Sequence, residues 1–538
     1  MEVIASRPTA GLLDRERIVA GPGFNRWLVP PAALAIHLCI GMAYGFSVFW
    51  LPLSRALGVT QSVACPGLTL GRALFTTTCD WRVADLGWMY TLFFVFLGSS
   101  AALWGGWLER AGPRKAGVVS AICWCGGIVL AAVGVMVHQL WIMWLGGGMI
   151  GGIGLGLGYI SPVSTLVKWF PDRRGMATGM AIMGFGGGAM IGAPLANLLM
   201  TYFRTPASVG VWQTFLVLAA IYFLFMMSGA FLYRVPPDRP ATLANEARSA
   251  EVAVHYRDAI KTRQFWLIWA VLCLNVSAGI GVIGMASPML QEIFGASAAV
   301  AAGFTGLISL FNIGGRFFWA SLSDHIGRKA TYATFFLLGI ALYAAAPSLA
   351  RAGSQAPFVL AVCIIVSMYG GGFATVPAYL ADTFGTQYVG AIHGRLLTAW
   401  STAGIIGPVL VNYIREAELA AGIPKQQVYD VTMYVLAGLL VLGLIANSLV
   451  KSQIPLDYAR GKPNPKSQIR RSSPESRIPN AGPRVPGPEP RVPAPGSRVP
   501  GPGGAFRIAT AWAAVALPLA WGTWITLTQA FVLFSGGH

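Results

Sequence analysis

The stretch AVAAGFTGLISLFNIGGRFFWASLSDHIGRK, residues 299–329, decides the fold class, because its long apolar part, 299–322, is interrupted by one arginine. Arg316 lies in the apolar part of this stretch, eight residues before Asp324. At a rise of 1.5 Å per residue it lies about 12 Å along a helix from that carboxylate, near the middle of a bilayer roughly 30 Å thick. An ionised arginine at that depth costs at least about 2.5 kcal/mol, so we expect it to serve a function.

Polar residues precede this arginine at helical spacing. Thr305, Ser309, Asn312 and Arg316 follow one another at steps of four, three and four residues, which places them on one face of a helix. The pattern predicts a membrane-spanning helix whose polar stripe faces an internal cavity, where the guanidinium binds an anion.

The composition of the whole chain is that of a polytopic membrane protein. Its 538 residues are 55% hydrophobic and 11% charged, whereas soluble domains are about a quarter charged. We expect an all-α protein with twelve spans and a thirteenth after a gap, each long enough to cross the hydrocarbon. The predicted spans are 28–53, 86–107, 116–137, 140–166, 176–201, 211–234, 264–289, 299–322, 330–350, 357–381, 390–414, 428–450 and 507–535.

The net charge of +18 follows the topology of the chain. Lys and Arg concentrate in alternate loops and in the tail after Val450, which the positive-inside rule assigns to the cytoplasm together with the N-terminus. We therefore expect a multi-pass, monomeric protein of a bacterial inner membrane, in contact with the lipid bilayer and without a nucleic-acid partner. Binding of anionic lipids is the alternative explanation of the basic loops.

Two of the seven cysteines differ from the rest. Cys65 and Cys79 both fall in the long first external loop, 54–85, where the environment is oxidising, so a disulfide between them is predicted, with two free thiols as the alternative. The others lie in apolar segments without further ligands, so we expect no metal site, no cofactor and no catalytic group.

The chain contains an internal duplication at a spacing of 215 residues. The segment GGWLERAGPRK (105–115) matches ASLSDHIGRKA (320–330), and later glycines keep the same spacing. Two six-helix halves in parallel duplication place a transporter site between them. The predicted organisation is a cytoplasmic N-terminal segment 1–27, a first half 28–234, a linker 235–263, a second half 264–450, a Pro-rich tether 451–505 and a thirteenth helix in 506–538.

The two matched loops share a pattern of charges that suits a gate. An acidic residue ends one helix and is followed by a glycine turn and basic residues, which can pair with a neighbouring helix in one conformational state. The alternative is a loop that only determines topology. The residues concerned are Glu109, Arg110, Gly112 and Arg114 in the first loop and Asp324, Gly327 and Arg328 in the second.

These loops resemble the signature of the major facilitator superfamily. Four further segments, AYGFSVFWLPL (43–53), CDWRVADLGWMYTLFF (79–94), NIGGRFFWASLSDHIGR (312–328) and GGGFATVPAYLADTFG (370–385), together with the region 159–194, are similar to the oxalate:formate antiporter family. The resemblance covers residues 27–450. It implies the superfamily fold, alternating access and transport of a small organic anion.

The resemblance also assigns roles to single positions. Arg316 stands where that family grips a substrate carboxylate, and Trp400 stands where its oxalate transporters carry a second cation, a lysine. One cation balances a monocarboxylate but leaves about one charge of oxalate unpaired, so a monocarboxylate is expected. Arg395 is the candidate for a displaced second cation, with a position at the membrane interface as the alternative.

Aromatic residues at the level of Arg316 are expected to line the site. Tyrosine offers an apolar ring and a hydroxyl donor to a carboxylate, although ordinary helix packing explains any single aromatic residue equally well. The predicted substrate-binding residues are Arg316, Asn312, Tyr369, Phe373, Trp400, Tyr159 and Tyr44.

We therefore predict a secondary active transporter for small organic anions of the monocarboxylate or formate/oxalate type, which works as an antiporter or as a proton symporter. No sequence feature predicts an enzyme. The rival hypotheses are an exporter of drugs or other small molecules, which favours carboxylates within the spans, and a transporter-like membrane sensor, which binds its ligand without flux.

Overall fold

The structure is a computed structural model, and it describes residues 11–65, 67–170, 174–237, 254–353, 355–385, 389–451 and 502–533. Within these ranges the chain is helical apart from its connecting loops. Thirteen of the described helices are long and apolar enough to cross a membrane. The all-α polytopic fold and the helix beyond the twelfth are therefore confirmed.

The first six of these helices form the amino-terminal half. Apolar side chains dominate each of them, so burial in lipid or against neighbouring helices favours the span. Their bounds are α1, Val29–Ile40 with Gly41–Phe49 and Trp50–Leu53; α2, Val83–Ala111; α3, Pro113–Met136; α4, Leu140–Met143 with Trp144–Gly151 and Gly152–Trp169; α5, Arg174–Phe203; and α6, Val211–Leu232.

The next six helices form the carboxy-terminal half, and one more follows the predicted tether. Their bounds are α7, Arg263–Phe294; α8, Ala298–Ile326; α9, Arg328–Arg351; α10, Gln355–Phe384; α11, Val389–Leu396 with Thr398–Ala420; α12, Asp430–Leu449; and α13, Pro502–Phe531.

The internal duplication is visible in the helix boundaries. The helices α2, α3 and α4 each begin and end 215 residues before α8, α9 and α10. The turns between the paired helices also agree: Gly112 has φ 85° and ψ 161°, and Gly327 has φ 86° and ψ 152°. Only glycine adopts this backbone conformation without strain, which explains why both matched loops carry one.

Three helices depart from regular α geometry near the centre of the molecule. The Gly41–Phe49 part of α1 is a 3₁₀-helix, Trp144–Gly151 of α4 is a π-helix, and α11 is interrupted at Leu397. Such departures are frequent at functional sites, because they turn side chains and backbone groups away from the regular helix pattern. Tyr44 lies in the first of them and Trp400 directly follows the third.

The two halves meet along α1 with α7, α2 with α11, and α5 with α8. Small residues allow close approach at these contacts. A Cβ added at Gly98 of α2 would lie 2.9 Å from the carbonyl oxygen of Leu397 in α11, and one added at Gly187 of α5 would lie 2.8 Å from Ile313 of α8. Tight packing of this kind is how membrane helices associate without a hydrophobic driving force.

A disulfide marks one end of the helix bundle. Cys65 and Cys79 are joined, with their Cα atoms 5.7 Å apart, in the loop that links α1 to α2. The loop is fastened by Asp80, whose carboxylate accepts hydrogen bonds from three backbone N–H groups. We call this end the disulfide face and the opposite end, where Gly112 and Gly327 lie, the motif face.

A buried histidine completes this fastening of the disulfide face. His138 stacks on Trp81 with 4.0 Å between ring centroids, and its Nε2 lies 2.8 Å from the carbonyl oxygen of Cys79. Burial lowers the pKa of His138, so the imidazole packs in its neutral form and Nε2–H donates to that oxygen.

The thirteenth helix packs along the boundary between the halves. It contacts α1 and α5 of the first half and α8 of the second. Thr526, which is fully buried, donates a hydrogen bond of 3.1 Å to the carbonyl oxygen of Met190 in α5, while the open side of Gly306 in α8 faces the same threonine. Trp512 donates to the carbonyl oxygen of Trp27, so α13 runs parallel to α1.

Parts of the predicted domain organisation fall outside the described residues. This applies to 1–10 of the N-terminal segment, to 238–253 of the linker and to 452–501 of the tether. The described end of the linker, at the motif face, begins with Val254, which donates a backbone hydrogen bond to Phe384 at the end of α10.

The turn geometry gives a stability prediction. A Cβ at Gly327 meets no atom within 4 Å, so Gly327→Ala introduces backbone strain alone, and we expect it to lower the free energy of unfolding by about 1–3 kcal/mol. Gly314→Ala in α8 is the matched control, since its Cβ is equally unobstructed on a helical backbone. Thermal unfolding of the purified protein in detergent measures both, and equal melting temperatures would contradict the assignment of strain to this turn.

Candidate functional site

The predicted polar stripe of α8 faces the interior of the molecule. Thr305, Ser309, Asn312 and Arg316 are all buried, and Arg316 is only 2% exposed. Thr305 donates back to the carbonyl oxygen of Ala301, and Ser309 donates to the carbonyl oxygen of Gly186 in α5. The four residues share one buried face of α8, as their spacing predicted, and this face lies at the contact between the two halves.

The guanidinium of Arg316 is only partly satisfied. Its Nε donates a hydrogen bond of 3.0 Å to Oδ1 of Asn312, one turn earlier. Within the described part of the chain, both terminal nitrogens are buried without a hydrogen-bond partner. Two buried N–H donor groups on a fixed planar fork match the two oxygens of a carboxylate, and leaving such charged donors unpaired is costly.

Two further buried donors lie in the same region. The hydroxyl of Tyr159 and Nε1 of Trp400 have no hydrogen-bond partner among the described residues. Tyr159 and Tyr44 both lie close enough to Arg316 to interact electrostatically with it. The region thus offers donors of three different kinds, which suits recognition of a small anion with several acceptor oxygens.

Aromatic rings enclose these donors. The guanidinium carbon of Arg316 lies 5.8 Å from the ring centroid of Phe373, a cation–π contact. Phe373 lies 4.5 Å from Trp400, and Trp400 lies 5.2 Å from Tyr159, measured between ring centroids. We call Tyr44, Tyr159, Tyr369, Phe373 and Trp400, together with Asn312 and Arg316, the central cluster. The structure brings all seven predicted substrate-binding residues together.

Sequence reasoning missed two members of this enclosure. Phe185 of α5 lies 4.9 Å from Tyr44 and 5.5 Å from Trp400, and Phe94 of α2 lies 5.6 Å from Trp400, measured between ring centroids. Phe185 stands in the glycine run GFGGGAMIG, residues 184–192, and this run was the available signal. Phe185 is the one large ring among the small residues of this run, so its side chain projects beyond its neighbours on α5.

His37 lies directly behind the central cluster. Its ring stacks on Tyr159 with 5.5 Å between centroids, and its Nε2 lies 3.0 Å from the carbonyl oxygen of that residue. The histidine is fully buried. It is therefore a core histidine, held by this hydrogen bond and by stacking on a member of the cluster.

Gly186 of α5 fits closely against the basic group. A Cβ added there would lie 3.0 Å from Oδ1 of Asn312 and 3.1 Å from Nε of Arg316. Any side chain at this position would press on the hydrogen bond that orients the guanidinium. Glycine is therefore required here by the close approach of α5 and α8.

Arg395 does not join the central cluster. Its side chain is exposed near the motif face, and its guanidinium carbon lies 4.3 Å from the ring centroid of Tyr256, in the short helix Tyr256–Ala259 that precedes α7. The stacking holds the charge away from Trp400. Arg316 is accordingly the one arginine or lysine that the described residues contribute to the cluster.

The predicted gate residues brace each half separately. Arg328 pairs with Asp324 at 2.5 Å and with Asp382 of α10 at 3.4 Å. Arg114 is buried and donates instead to the carbonyl oxygens of Leu12 and Phe231. All these contacts stay within one half, so the expected pairing with a neighbouring helix occurs without crossing the boundary between halves.

Arg110 is exposed at the end of α2, and the side chain of Glu109 lies outside the described part of the structure.

Contacts between the halves close the cluster on the side of the disulfide face. The hydroxyls of Tyr44 in α1 and Tyr369 in α10 are 2.7 Å apart. One turn and a half farther along α1, Trp50 donates a hydrogen bond of 2.8 Å to the carbonyl oxygen of Gly284 in α7. Every member of the cluster is at most 2% exposed, so the cluster is buried inside the molecule.

Comparison with known proteins agrees with this geometry. The family model of the Major Facilitator Superfamily matches residues 33–408. The oxalate:formate antiporter of Oxalobacter formigenes is 26% identical over 393 residues, covering 71% of this chain and 83% of the relative. The apicoplast pyruvate carrier 1 of Toxoplasma gondii is 25% identical over 441 residues, covering 67% of this chain and 78% of the relative.

Solved structures share the fold. The crystal structure of a D-xylose-proton symporter superposes with a TM-score of 0.57 at 16% sequence identity, covering 81% of this chain and 99% of the symporter. At this identity the likeness extends to the arrangement of the helices alone.

The fit of Gly186 predicts a selective effect on anion binding. We expect Gly186→Ala to displace Asn312 and Arg316 and to raise the apparent Kd for formate by at least about 10-fold, the cost of one weakened charged hydrogen bond. Thermal stabilisation of the purified protein by added formate measures this Kd. Gly179→Ala on the same helix is the control, because its Cβ meets only Phe317 at 3.6 Å. Equal effects of the two substitutions would show that the contact with Arg316 is unimportant.

Proposed function

Since this chain belongs to the Major Facilitator Superfamily, a family of membrane transporters, we propose that it carries small monocarboxylate anions by alternating access. The observation that supports this most directly is the guanidinium of Arg316, whose two terminal nitrogens are buried and unpartnered among the described residues. A bound carboxylate would accept from both nitrogens and would neutralise the charge at the centre of the molecule.

The rest of the cluster would orient the anion. The hydroxyl of Tyr159 and Nε1 of Trp400 are donors available to a carboxylate oxygen or to a second polar group of the substrate. The faces of Phe373 and Phe185 would contact a short apolar substituent. Aromatic walls with a few fixed donors are the usual construction of a small-molecule site.

The charge balance favours a monocarboxylate over a dicarboxylate. Trp400 occupies the position at which the oxalate transporters of the resembling family have a lysine, and Arg395 is turned toward Tyr256. One guanidinium balances one carboxylate, whereas an oxalate dianion would retain about one uncompensated charge in a dry site. A relative named for pyruvate transport, a monocarboxylate carrier, supports the same substrate class.

Alternating access requires the contacts between the halves to break in turn. Opening toward the disulfide face would separate Tyr44 from Tyr369 and Trp50 from Gly284. We assign the disulfide face to the outside of a bacterial inner membrane and the motif face to the cytoplasm, because the basic loops lie at the motif face. The cycle would run as an exchange of anions or as symport with a proton, with a monomer as the transporting unit.

Counterflow in proteoliposomes tests the proposal. We expect saturable uptake of labelled formate, lactate or pyruvate, and a loss of at least about 100-fold in kcat/KM for Arg316→Ala, since truncating one partner of a buried charge pair costs about 2–5 kcal/mol. Arg316→Lys should recover only part of the activity, because a lysine lacks the planar fork. Flux that is indifferent to Arg316 would refute the anion site, and ligand binding without flux would indicate a sensor.

The charge argument yields a change of specificity. We expect Trp400→Lys to raise the ratio of oxalate to formate transport by about 10-fold or more, because the new ammonium would pair with the second carboxylate. Trp400→Met is the matched control, as it removes the ring without adding charge. Strong oxalate exchange by the unsubstituted protein would contradict the one-cation site.

A further inference from the structure

A cavity with polar and apolar walls lies between the halves at the disulfide face. It has a volume of about 280 Å³ and is bounded by the outer parts of α1, α5 and α7. Its innermost residues are Val48 and Ser287, which are buried, and its rim carries Arg55 and Arg204. Asn197 and Gln291 contribute side-chain amides to the wall.

The two arginines at the rim have no acidic partner among the residues that the structure describes. No carboxylate of the described residues lies within ion-pair distance of Arg55 or Arg204. Three arginines near this face are paired: Arg82 with Asp85, Arg351 with Asp430, and Arg415 with Glu292. Arg72, Arg55 and Arg204 have no such partner among the described residues, and of these three Arg55 and Arg204 line the cavity. Two unpaired arginines thus meet at one cavity, although basic residues concentrate at the opposite face.

The cavity is adjacent to the closing contacts of the central cluster. Val48 lies one turn beyond Tyr44 on α1, and Ser287 lies three residues beyond Gly284 on α7. The backbone N–H of Ser287 donates to the hydroxyl of Ser47 at 3.4 Å, so the floor of the cavity is itself a contact between the halves. Only the contacts between Tyr44 and Tyr369 and between Trp50 and Gly284 would separate an anion in the cavity from Arg316.

We propose that this cavity is an outer anion-binding site, in which Arg55 and Arg204 take up a small carboxylate before it passes to the central cluster. The assignment rests on the proposed transport of monocarboxylates and adds the route by which the substrate enters. Two guanidinium groups at a concave mouth raise the local concentration of anions, and the effect is screened by salt. Asn197 and Gln291 line the same wall; Nε2 of Gln291 donates one N–H to Ser287 Oγ at 3.0 Å and has a second N–H for a carboxylate oxygen.

The experiment compares transport from the two sides of the membrane. Initial rates of formate uptake are measured in whole cells, where the disulfide face is outside, and in inverted vesicles, where it faces the lumen. We expect Arg55→Gln with Arg204→Gln to raise KM about 3–10-fold in cells, to leave kcat within about 2-fold, and to leave KM in inverted vesicles unchanged. The increase should shrink as sodium chloride is raised from 20 to 300 mM.

Arg72→Gln is the matched control, since Arg72 is an exposed arginine of the same loop region that is also unpaired among the described residues but lies outside the cavity. A rise of KM equal to that of the control, or equal on both sides of the membrane, would overturn the outer site. A fall in kcat without a change of KM would assign the arginines to structure and would overturn it as well. Arg316→Ala in the same assay distinguishes failure of the outer site from failure of the proposed function. If the proposed function is wrong, flux will not depend on Arg316. If only the outer site is wrong, flux will still depend on Arg316.

Discussion

The structure depends on one constraint: a guanidinium is held at the depth of the hydrocarbon with two of its donors unsatisfied by the described residues. Asn312 fixes the direction of the side chain by accepting from Nε, and Gly186 leaves the space in which that hydrogen bond fits. Phe373 covers one side of the charge. Each of these choices has a stability cost or a conformational restriction that an apolar helix pair would avoid, and the proposed binding of an anion would account for all of them together.

Much of the fold can be predicted from the sequence, because the internal duplication gives each helix boundary a second estimate in the other half. Hydropathy alone places a helix end within a few residues, yet α2, α3 and α4 repeat at both ends in α8, α9 and α10. The glycine turns at Gly112 and Gly327 fix the alignment of the two halves. The irregular parts of α1 and α11 have no such signal in the sequence, and the 3₁₀ segment Gly41–Phe49 packs closely against α5, where Gly188 meets Gly41. Tertiary contact, and not local preference, decides those segments.

The residues of the central cluster also divide into those that the sequence predicted and those that it did not. The polar stripe of α8 could be predicted because helical spacing aligns its members, and the resemblance supplied the aromatic residues on the other helices. Phe185 escaped prediction because its orientation depends on which face of α5 meets α8. The position of Arg395 likewise depends on Tyr256, a residue from the segment before α7, so sequence distance from Trp400 could not exclude it from the cluster. Contacts between distant segments are the information that periodicity lacks.

The thirteenth helix bears on how the halves can move. Thr526 is hydrogen-bonded to Met190 of α5 in the first half, and it also faces Gly306 of α8 in the second half. Alternating access, as proposed, changes the distance between α5 and α8, so α13 cannot keep both contacts throughout the cycle. Its hydrogen bonds to Trp27 and Met190 are with the first half, whereas its contact with α8 relies on glycines, across which a helix slides at little cost. The hydrogen bonds of α13 thus fasten it to the first half, and its glycine-lined contact with α8 covers the boundary between the halves.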